Sequence, residues 1–469
     1  MKIRPATSQW FDEQGIRLDA SYHLSEARQA KFSIDKSPLG TKTLSEVTER
    51  IFLGGRFRRV YVSDSERGYP YLTASDMTKA EPFSATYLSK TYTKNQEKLM
   101  IRKGWILLSC SGSIGRTVFT NELFEGQIGT HDLIRIVPDH EALPAGYLYA
   151  FLSSKYGYSL LTQGTYGGVI QHIEPHHIKD LPIPLLPEAE QAAIHAMIEE
   201  AAQLRVEANR LLEEAERELI QEAQLRTLTP DDYEYFGSHV TGRPVAAFTV
   251  KSSNPFQTTL TAFNHSVKIE KLKEEVKQNN QTLTLKECLA GGSIFSTGSF
   301  KRLETTSPKG VRLINQSDIF NFKIEGKLIA PKFVKNQDLV SYGEVIIAGV
   351  GTLGENETFC RVLFAGEELI QELISGEFIR MKTEKVPAGY LYAWLATQYG
   401  FRMIRACQGG TKLCRPIPRM LLEIPVPIFE EDIVKSIDQK VVEAHSKRFE
   451  ALQKETAAIR QVEEWIEAW

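Results

Sequence analysis

Two textures alternate along the chain. Over the first 187 residues apolar positions come in short runs, such as Trp-Ile-Leu-Leu at 105–108, set between glycine-containing turns. Runs of this kind, rich in β-branched and aromatic residues, predict strands. The run Glu-Val-Ile-Ile at 344–347 predicts another in the same style. Between strands the spacing changes once: Leu148, Phe151, Leu152 and Tyr156 recur at steps of three and four, which predicts a helix around the Gly-Tyr-Leu-Tyr-Ala segment. After the proline-rich stop at 181–187, residues 188–226 contain neither Gly nor Pro. There Ile194, Met197, Ala201, Leu204, Ala208, Leu211 and Ala215 mark a heptad seam. Residues 430–469 repeat the pattern through Ile433, Ile437, Val441, Phe449, Leu452, Ile459, Val462 and Ile466. At ~1.5 Å per residue each helix would run roughly 57–60 Å. Neither could bury its stripe alone, so their matched lengths predict an antiparallel coiled coil, with alanines in the first seam permitting close approach. A single solvated helix is the alternative.

The chain also resembles itself. Pro-Ala-Gly-Tyr-Leu-Tyr-Ala occupies 144–150 and returns, identical, at 387–393. Tyr-Gly follows both copies, at 156–157 and 399–400. Ser75-Asp76 answers to Ser317-Asp318, and Leu44-Ser45-Glu46 to Leu285-Lys286-Glu287. The loop Gly112-Ser113-Ile114-Gly115 answers to Gly351-Thr352-Leu353-Gly354, and Pro182-Ile183-Pro184 to Pro425-Val426-Pro427. An ordered series at a nearly constant offset marks a tandem duplication. The expected fold is therefore mixed α/β (α+β): a head at 1–187, a helix at 188–226, a second head at 227–429 and a C-terminal helix at 430–469.

Charge refines this division. Residues 1–187 carry 22 basic and 19 acidic side chains, and 227–429 carry 24 and 20. The helical stretches are acidic, with 4 basic against 10 acidic at 188–226 and 6 against 10 at 430–469. A small positive excess on each head permits phosphate contact without proving it. The five cysteines form no Cys-x-x-Cys pair, and an odd number argues against a disulfide framework. No apolar run is long enough to cross a bilayer, and the start Met1-Lys2-Ile3-Arg4-Pro5 lacks the apolar core of a signal peptide. The expectation is a cytoplasmic protein without a membrane association.

Several short motifs border on catalytic chemistry. Gly349-Val350-Gly351-Thr352-Leu353-Gly354 fits a dinucleotide-type glycine loop, but the residues after it read as a strand where that motif requires a helix. Asn254-Pro255-Phe256 lacks the second proline of an adenine-methylase motif, and no phosphate-binding loop for ATP occurs. His172, His176 and His177 form the one dense histidine group, interrupted by Pro175. Asp231 with Glu275-Val276-Lys277 mimics a nuclease motif only across an expected domain boundary. No cofactor, metal or catalytic residue is expected. A self-contained methyltransferase or nuclease remains an alternative.

Base reading calls for side chains that donate and accept in a groove. In the first head the candidates are Arg56, Arg58 and Arg59 after a Gly-Gly pair, the interleaved strip Lys90, Tyr92 and Lys94, and the loop serines Ser111 and Ser113. The polar turns carrying Gln163, Thr165, Tyr166, Gln171 and His172 complete that set. Their counterparts in the second head are Thr352, Gln408, Thr411, Lys412 and Arg415. A solvated charge cluster is the plain alternative for the arginines.

On these features the chain resembles the specificity subunits of type I restriction–modification systems over essentially its whole length. The head–helix–head–helix order carries the resemblance. So does the segment from Ile178 through Pro182-Ile183-Pro184 to Gln191 and Ile194, which is similar to the family's exit from its first target-recognition domain into a conserved helix. The glycine-loop strand at 104–115 and Arg17-Leu18-Asp19-Ala20 add to it. The second copy departs at Glu431-Asp432, where Glu-Gln would stand, and at Leu260-Thr261-Ala262, which keeps only part of the entry motif. The resemblance implies that each head is a target-recognition domain reading half of a bipartite site in double-stranded DNA. It implies that the paired helices fix the spacing and dock two adenine-N6 methyltransferase subunits, with a translocating endonuclease subunit as a further partner. For partner docking the candidates are Ile194, Leu204, Leu211, Ile437, Phe449 and Ile459. A coiled-coil scaffold that never touches DNA is the other non-enzymatic reading.

Overall fold

The structure, a computed structural model, describes residues 25–62, 65–82, 86–162, 172–233 and 259–469. The chain divides into two units: one made of Met1–Val206 with Glu450–Trp469, the other of Glu207–Phe449.

In the first unit, α1 (Glu26–Ile34) starts at Ser25, whose side chain accepts from the Arg28 N–H. The edge strand β1 (Thr41–Thr43) and β2 (Thr48–Leu53) follow, then the small strands β3 (Tyr61–Val62), β4 (Gly68–Leu72) and β5 (Tyr87–Ser89). The buried strands β6 (Ile106–Ser109), β7 (Thr117–Phe119), β8 (Ile128–Gly129) and β9 (Leu133–Pro138) complete two four-stranded sheets, ordered β2-β9-β6-β7 and β3-β5-β4-β8. Two helices, α2 (Ala145–Ser153) and α3 (Lys155–Thr162), meet at a tight corner. Ser154 turns it, its hydroxyl accepting from the Gly157 N–H at 3.2 Å. Strand β10 (Pro182–Pro184) pairs with β1 and leads into the long helix α4 (Glu188–Glu222). Apolar faces of β6, β9 and α2 share one core with Ile183, Ile194, Ile198 and, from the C-terminal stretch, Ala458, Val462 and Ile466.

The second unit repeats this order. It holds α5 (Val267–Asn279), β11 (Gln281–Thr284), β12 (Val311–Ile314), β13 (Lys327–Ile329), β14 (Val345–Ala348), β15 (Val362–Phe364), β16 (Leu373–Ile374) and β17 (Phe378–Met381). Helices α6 (Ala388–Ala396) and α7 (Gln398–Ala406) follow, then the hairpin β18 (Gln408–Gly409) with β19 (Arg415–Pro416), strand β20 (Pro425–Ile428) and the long helix α8 (Glu431–Glu467). Its sheets are smaller: β15-β14-β17, β13-β12-β16 and the pair β11-β20. The stretch after Gly354, expected as one strand to residue 363, is a turn through Cys360, and only β15 is strand. Cys360 turns the chain with a φ of 68°, in the left-handed region.

The duplication is exact in its joints. Thr43 and Glu46 form a capping box, and so do Thr284 and Glu287; in each the threonine N–H donates to the glutamate at 2.7 Å. The Tyr147 hydroxyl donates to the Pro184 carbonyl at 2.7 Å, and Tyr390 donates to Pro427 at 2.6 Å. The Gly146 N–H meets His195 Nδ1 at 3.1 Å, and the Gly389 N–H meets Asp438 Oδ1 at 2.8 Å. These bonds tie the first turn of α2 or α6 to the outgoing strand and to the long helix beyond it.

The long helices pair antiparallel. In the first unit Glu190 meets Gln461 and Glu200 meets Lys454. In the second Glu207 meets Lys447 and Glu218 meets Lys440. Alanine lines the seam at every seventh position, at Ala201, Ala208 and Ala215 of α4 and at Ala444, Ala451 and Ala458 of α8, all buried. The alanines expected in the α4 seam are there, and so are Ile437, Val441, Val462 and Ile466 of α8; the correction is that Ala444, Ala451 and Ala458 share the α8 seam while Phe449, Leu452 and Ile459 lie beside it. Ile194 and Ile437 are wholly buried within their own units, and Leu211 packs against Ala208 and Ala444. Their side chains hold the chain's own helices together and offer no surface for a partner. Leu204, Phe449 and Ile459 are only half-buried and flank the alanine seam, because close approach leaves no room for them inside it. No helix among the described residues is long and apolar enough to cross a membrane. All five cysteines are free and buried.

Candidate nucleic-acid interface

In the first unit the small sheet carries the basic candidates. The Arg59 guanidinium lies 5.4 Å from the Tyr71 ring centre, and its Nη2 is 3.3 Å from His131 Nδ1. Lys90 donates to the Glu66 carbonyl at 2.8 Å and stands 5.6 Å from the Tyr69 ring centre. Arg56, Arg58 and Lys94 are exposed, as is Tyr92 with two-thirds (66%) of its surface open.

A second group lies at the glycine loop after β6. Gly112 and Gly115 adopt φ of 72° and 87°, and a Cβ at Gly115 would lie 2.7 Å from Thr162 and 2.9 Å from the Tyr158 ring. The Ser109 hydroxyl donates to the Ser113 carbonyl and so braces this turn. Ser111 pairs in an isolated bridge with His172. The His172 imidazole is 3.9 Å from the Cys110 thiol, which is itself 4.0 Å from the His131 carbonyl. His131, which no sequence motif marks, thus connects Arg59 of the first group to Cys110 and His172 of the second. Burial, reinforced by Asp132, pushes the Cys110 thiol up to about 12, so it stays a neutral thiol at neutral pH. Gln163, Thr165, Tyr166 and Gln171 lie outside the described residues.

In the second unit the corresponding loop, 349–354, is held differently. Gly351 bridges to Cys414 of the β18–β19 hairpin. Three arginines converge behind the loop. Arg405 donates to the carbonyls of Leu353 and Gly354. Arg402 pairs with Glu355 at 2.8 Å, and Arg361 donates to the Glu355 carbonyl at 2.9 Å while lying 4.0 Å from the Phe401 ring centre. Arginines thus back the loop where Tyr158 and Thr162 back it in the first unit. Sequence reasoning missed them, because α7 supplies two of them from some fifty positions downstream.

Thr352, Thr411, Lys412 and Arg415 are exposed. Gln408, expected on the surface with them, is buried at 3% exposure. Its backbone carbonyl accepts from Asn264 at 2.8 Å, which draws the first strand of the hairpin inward. The polar loop therefore begins after Gly409. His176 and His177 lie with ring centres 4.0 Å apart and planes tilted by 56°, on a short helix that Pro175 starts where it was expected to block one: at the first position its missing N–H costs nothing. Among the described residues no group of histidine, cysteine and carboxylate side chains could hold a metal ion.

Residues 40–217 match a family model described as the type I restriction modification DNA specificity domain. No curated protein matches the chain. Among solved structures it is similar to the type I restriction-modification S subunit from M. genitalium, with 13% identity, 92% of this chain and 96% of that one covered, and a TM-score of 0.36. It is also similar to the HsdS subunit from Thermoanaerobacter tengcongensis, with 15% identity, 92% and 97% covered, and a TM-score of 0.27.

Proposed function

Through residues 40–217 the chain belongs with the type I restriction–modification DNA specificity proteins, and on that premise we propose that it is the sequence-reading subunit of such a system. It has no catalytic centre of its own in this reading. Each head, 1–187 and 227–429, reads one half of a bipartite site in duplex DNA. The helices at 188–226 and 430–469 dock two adenine-N6 methyltransferase subunits and set the spacing between half-sites. A translocating endonuclease subunit joins the same assembly, which works in the cytoplasm.

One observation carries the reading most directly. The joints of the two copies recur at corresponding positions, whereas the polar side chains on the loops they hold differ: Ser111, Ser113 and His172 in one, Thr352, Lys412 and Arg415 in the other. A conserved frame around divergent polar loops suits a protein that reads two unrelated half-sites. A scaffold without DNA contact would leave that divergence without a purpose.

Single-molecule methylation mapping tests it. The chain is expressed with its neighbouring methyltransferase gene in a host lacking both, against the methyltransferase alone. Adenine methylation at a split motif, only when the chain is present, supports the proposal. No methylation with an active methyltransferase partner present points to the scaffold.

A further inference from the structure

Strands β5, β4 and β8 of the first unit correspond to β13, β12 and β16 of the second. In each, an antiparallel strand lies on one side of the central strand and a parallel one on the other: β5 and β8 flank β4, and β13 and β16 flank β12. Tyr69 opposes Leu88 in the first unit, and Val311 opposes Ile329 in the second. Counted onward from these pairs, Tyr92 corresponds to Phe333 and Lys94 to Lys335. The basic–aromatic strip of the first head therefore has a counterpart in the second that sequence comparison alone did not reveal.

That counterpart is more concentrated. The Lys332 ammonium stands 5.0 Å and the Lys301 ammonium 5.4 Å from the centre of the same Phe333 ring. The Arg302 guanidinium lies 5.9 Å from the Phe300 ring. All three cations are exposed, and none forms an ion pair with a described residue. The nearby carboxylate of Glu304 is taken by Lys327 at 2.5 Å. Two ammonium groups sharing one ring lie within about a Debye length of each other. No described carboxylate forms an ion pair with either, while the ring beneath them limits the freedom of both side chains. An anion on the open side would relieve that repulsion. A ladder of phosphates, one charge per ~1.7 Å of duplex axis, would relieve it for all three cations at once. The first unit carries the same device, with Lys90 on Tyr69 and Arg59 on Tyr71.

We propose that Lys301, Arg302 and Lys332, carried on Phe300 and Phe333, clamp the phosphate backbone of duplex DNA in the second head. The clamp supplies grip without sequence preference and leaves base reading to the loop around Lys412 and Arg415. It rests on the DNA-reading function proposed above.

The test measures binding of the 469-residue chain to two duplexes, one carrying the mapped motif and one shuffled, across a salt series. The variant K301A/R302A/K332A is compared with the charge-keeping K301R/K332R. The triple variant should lose roughly tenfold or more on both duplexes, and its slope of log affinity against log salt should fall by about 0.9 for each contact removed. K301R/K332R should keep both. Thermal unfolding checks the fold, and K332E alone gives the same readout should the triple variant unfold. Unchanged affinity and slope, with the unsubstituted chain binding normally, would overturn the clamp. So would a loss confined to the motif duplex, which would make these residues base readers. If the unsubstituted chain binds neither duplex, the DNA-reading function fails first and the clamp with it.

Discussion

The Tyr149 hydroxyl donates to Glu455 Oε1 at 2.8 Å, joining α2 of the first unit to α8. The other oxygen of that carboxylate pairs with Arg205 of α4, so one buried group at 3% exposure ties three helices together. Burial, with the Glu455 charge beside it, raises the Tyr149 phenol far above its ordinary range, which keeps it a donor at any physiological pH. Removing the carboxylate takes its buried ion-pair partner from the Arg205 guanidinium. E455A should therefore destabilise the first unit by ~3–5 kcal/mol, and Y149F by only ~1–2 kcal/mol. Chemical denaturation followed by hydrogen exchange over 145–153 measures both. Equal costs would show that the tie depends on the tyrosine and not on the ion pair.

Glu368 makes the stability of the second unit depend on pH. One of its oxygens, Oε2, is wholly shielded and has no hydrogen-bond partner. Burial pushes its carboxyl up to about 7, opposed by its own backbone N–H and by Arg448. A folded-state value above the unfolded one means that folding takes up a proton. The contribution to stability is then full below about pH 4.5 and is lost as pH rises through about 7. The second unit should weaken by about 2–3 kcal/mol between pH 5 and pH 8 through this group. E368Q should flatten that part of the profile, as read from urea midpoints at the two values. A profile unchanged by E368Q would assign the dependence to another group.

The corners between paired short helices tolerate no side chain. A Cβ at Gly157 would lie 2.2 Å from the Phe151 carbonyl oxygen, and one at Gly400 2.5 Å from that of Trp394. Neither backbone can yield without opening its corner, so G157A and G400A should each cost more than ~2 kcal/mol. Gly126 provides the contrast: its φ is 79°, yet nothing lies within 4 Å of a Cβ there. G126A should pay only the backbone strain, about 1 kcal/mol. Thermal unfolding of the three variants gives the ranking, and a G126A as damaging as G157A would refute the steric account.

If the hairpin loop of the second head reads bases, its variants should alter one half-site and spare the other. R415A and K412A should each cost ~1–3 kcal/mol of discrimination at affected positions. S113A and H172A should disturb only the other half. Methylation mapping of each variant reads this directly. Changes scattered over both halves would show that these side chains shape the fold and not the readout.

Much of the frame was legible in the sequence because it is written in repeats. An identical seven-residue run announces the helix that each head packs against its outgoing strand, and the Gly- and Pro-free stretches announce the long helices. The seam of α4 was legible in its alanines, whereas in α8 bulky residues such as Phe449 and Ile459 weigh heavily in a periodicity and hid Ala444, Ala451 and Ala458 between them. Arg205 and Glu455 carry no signal in the sequence, because Glu455 is accommodated inside by its pairing with Arg205 and its bond from Tyr149, partners 250 and 306 positions away. In the candidate interface, exposed loop residues such as Thr352, Lys412 and Arg415 could be picked out by type. Gln408 could not be told apart from them, since its burial depends on a bond from distant Asn264 to its backbone.

The proline strands that close each head also guard the protein against itself. In β10 and β20 the prolines sit at alternate positions, facing Thr41 and Thr43 or Thr282 and Thr284. Their ring nitrogens fall on the edge away from the single partner strand, so that edge offers no amide hydrogen there. Three of the four outward proline carbonyls are also occupied: Pro184 and Pro427 accept from Tyr147 and Tyr390, and Pro425 accepts from the Trp394 indole at 2.9 Å. A stray strand arriving at either edge finds no donors at the prolines, and at β20 no open acceptors there either. The rigid exit that aims each long helix is thereby also a safeguard against aggregation at high cellular concentration.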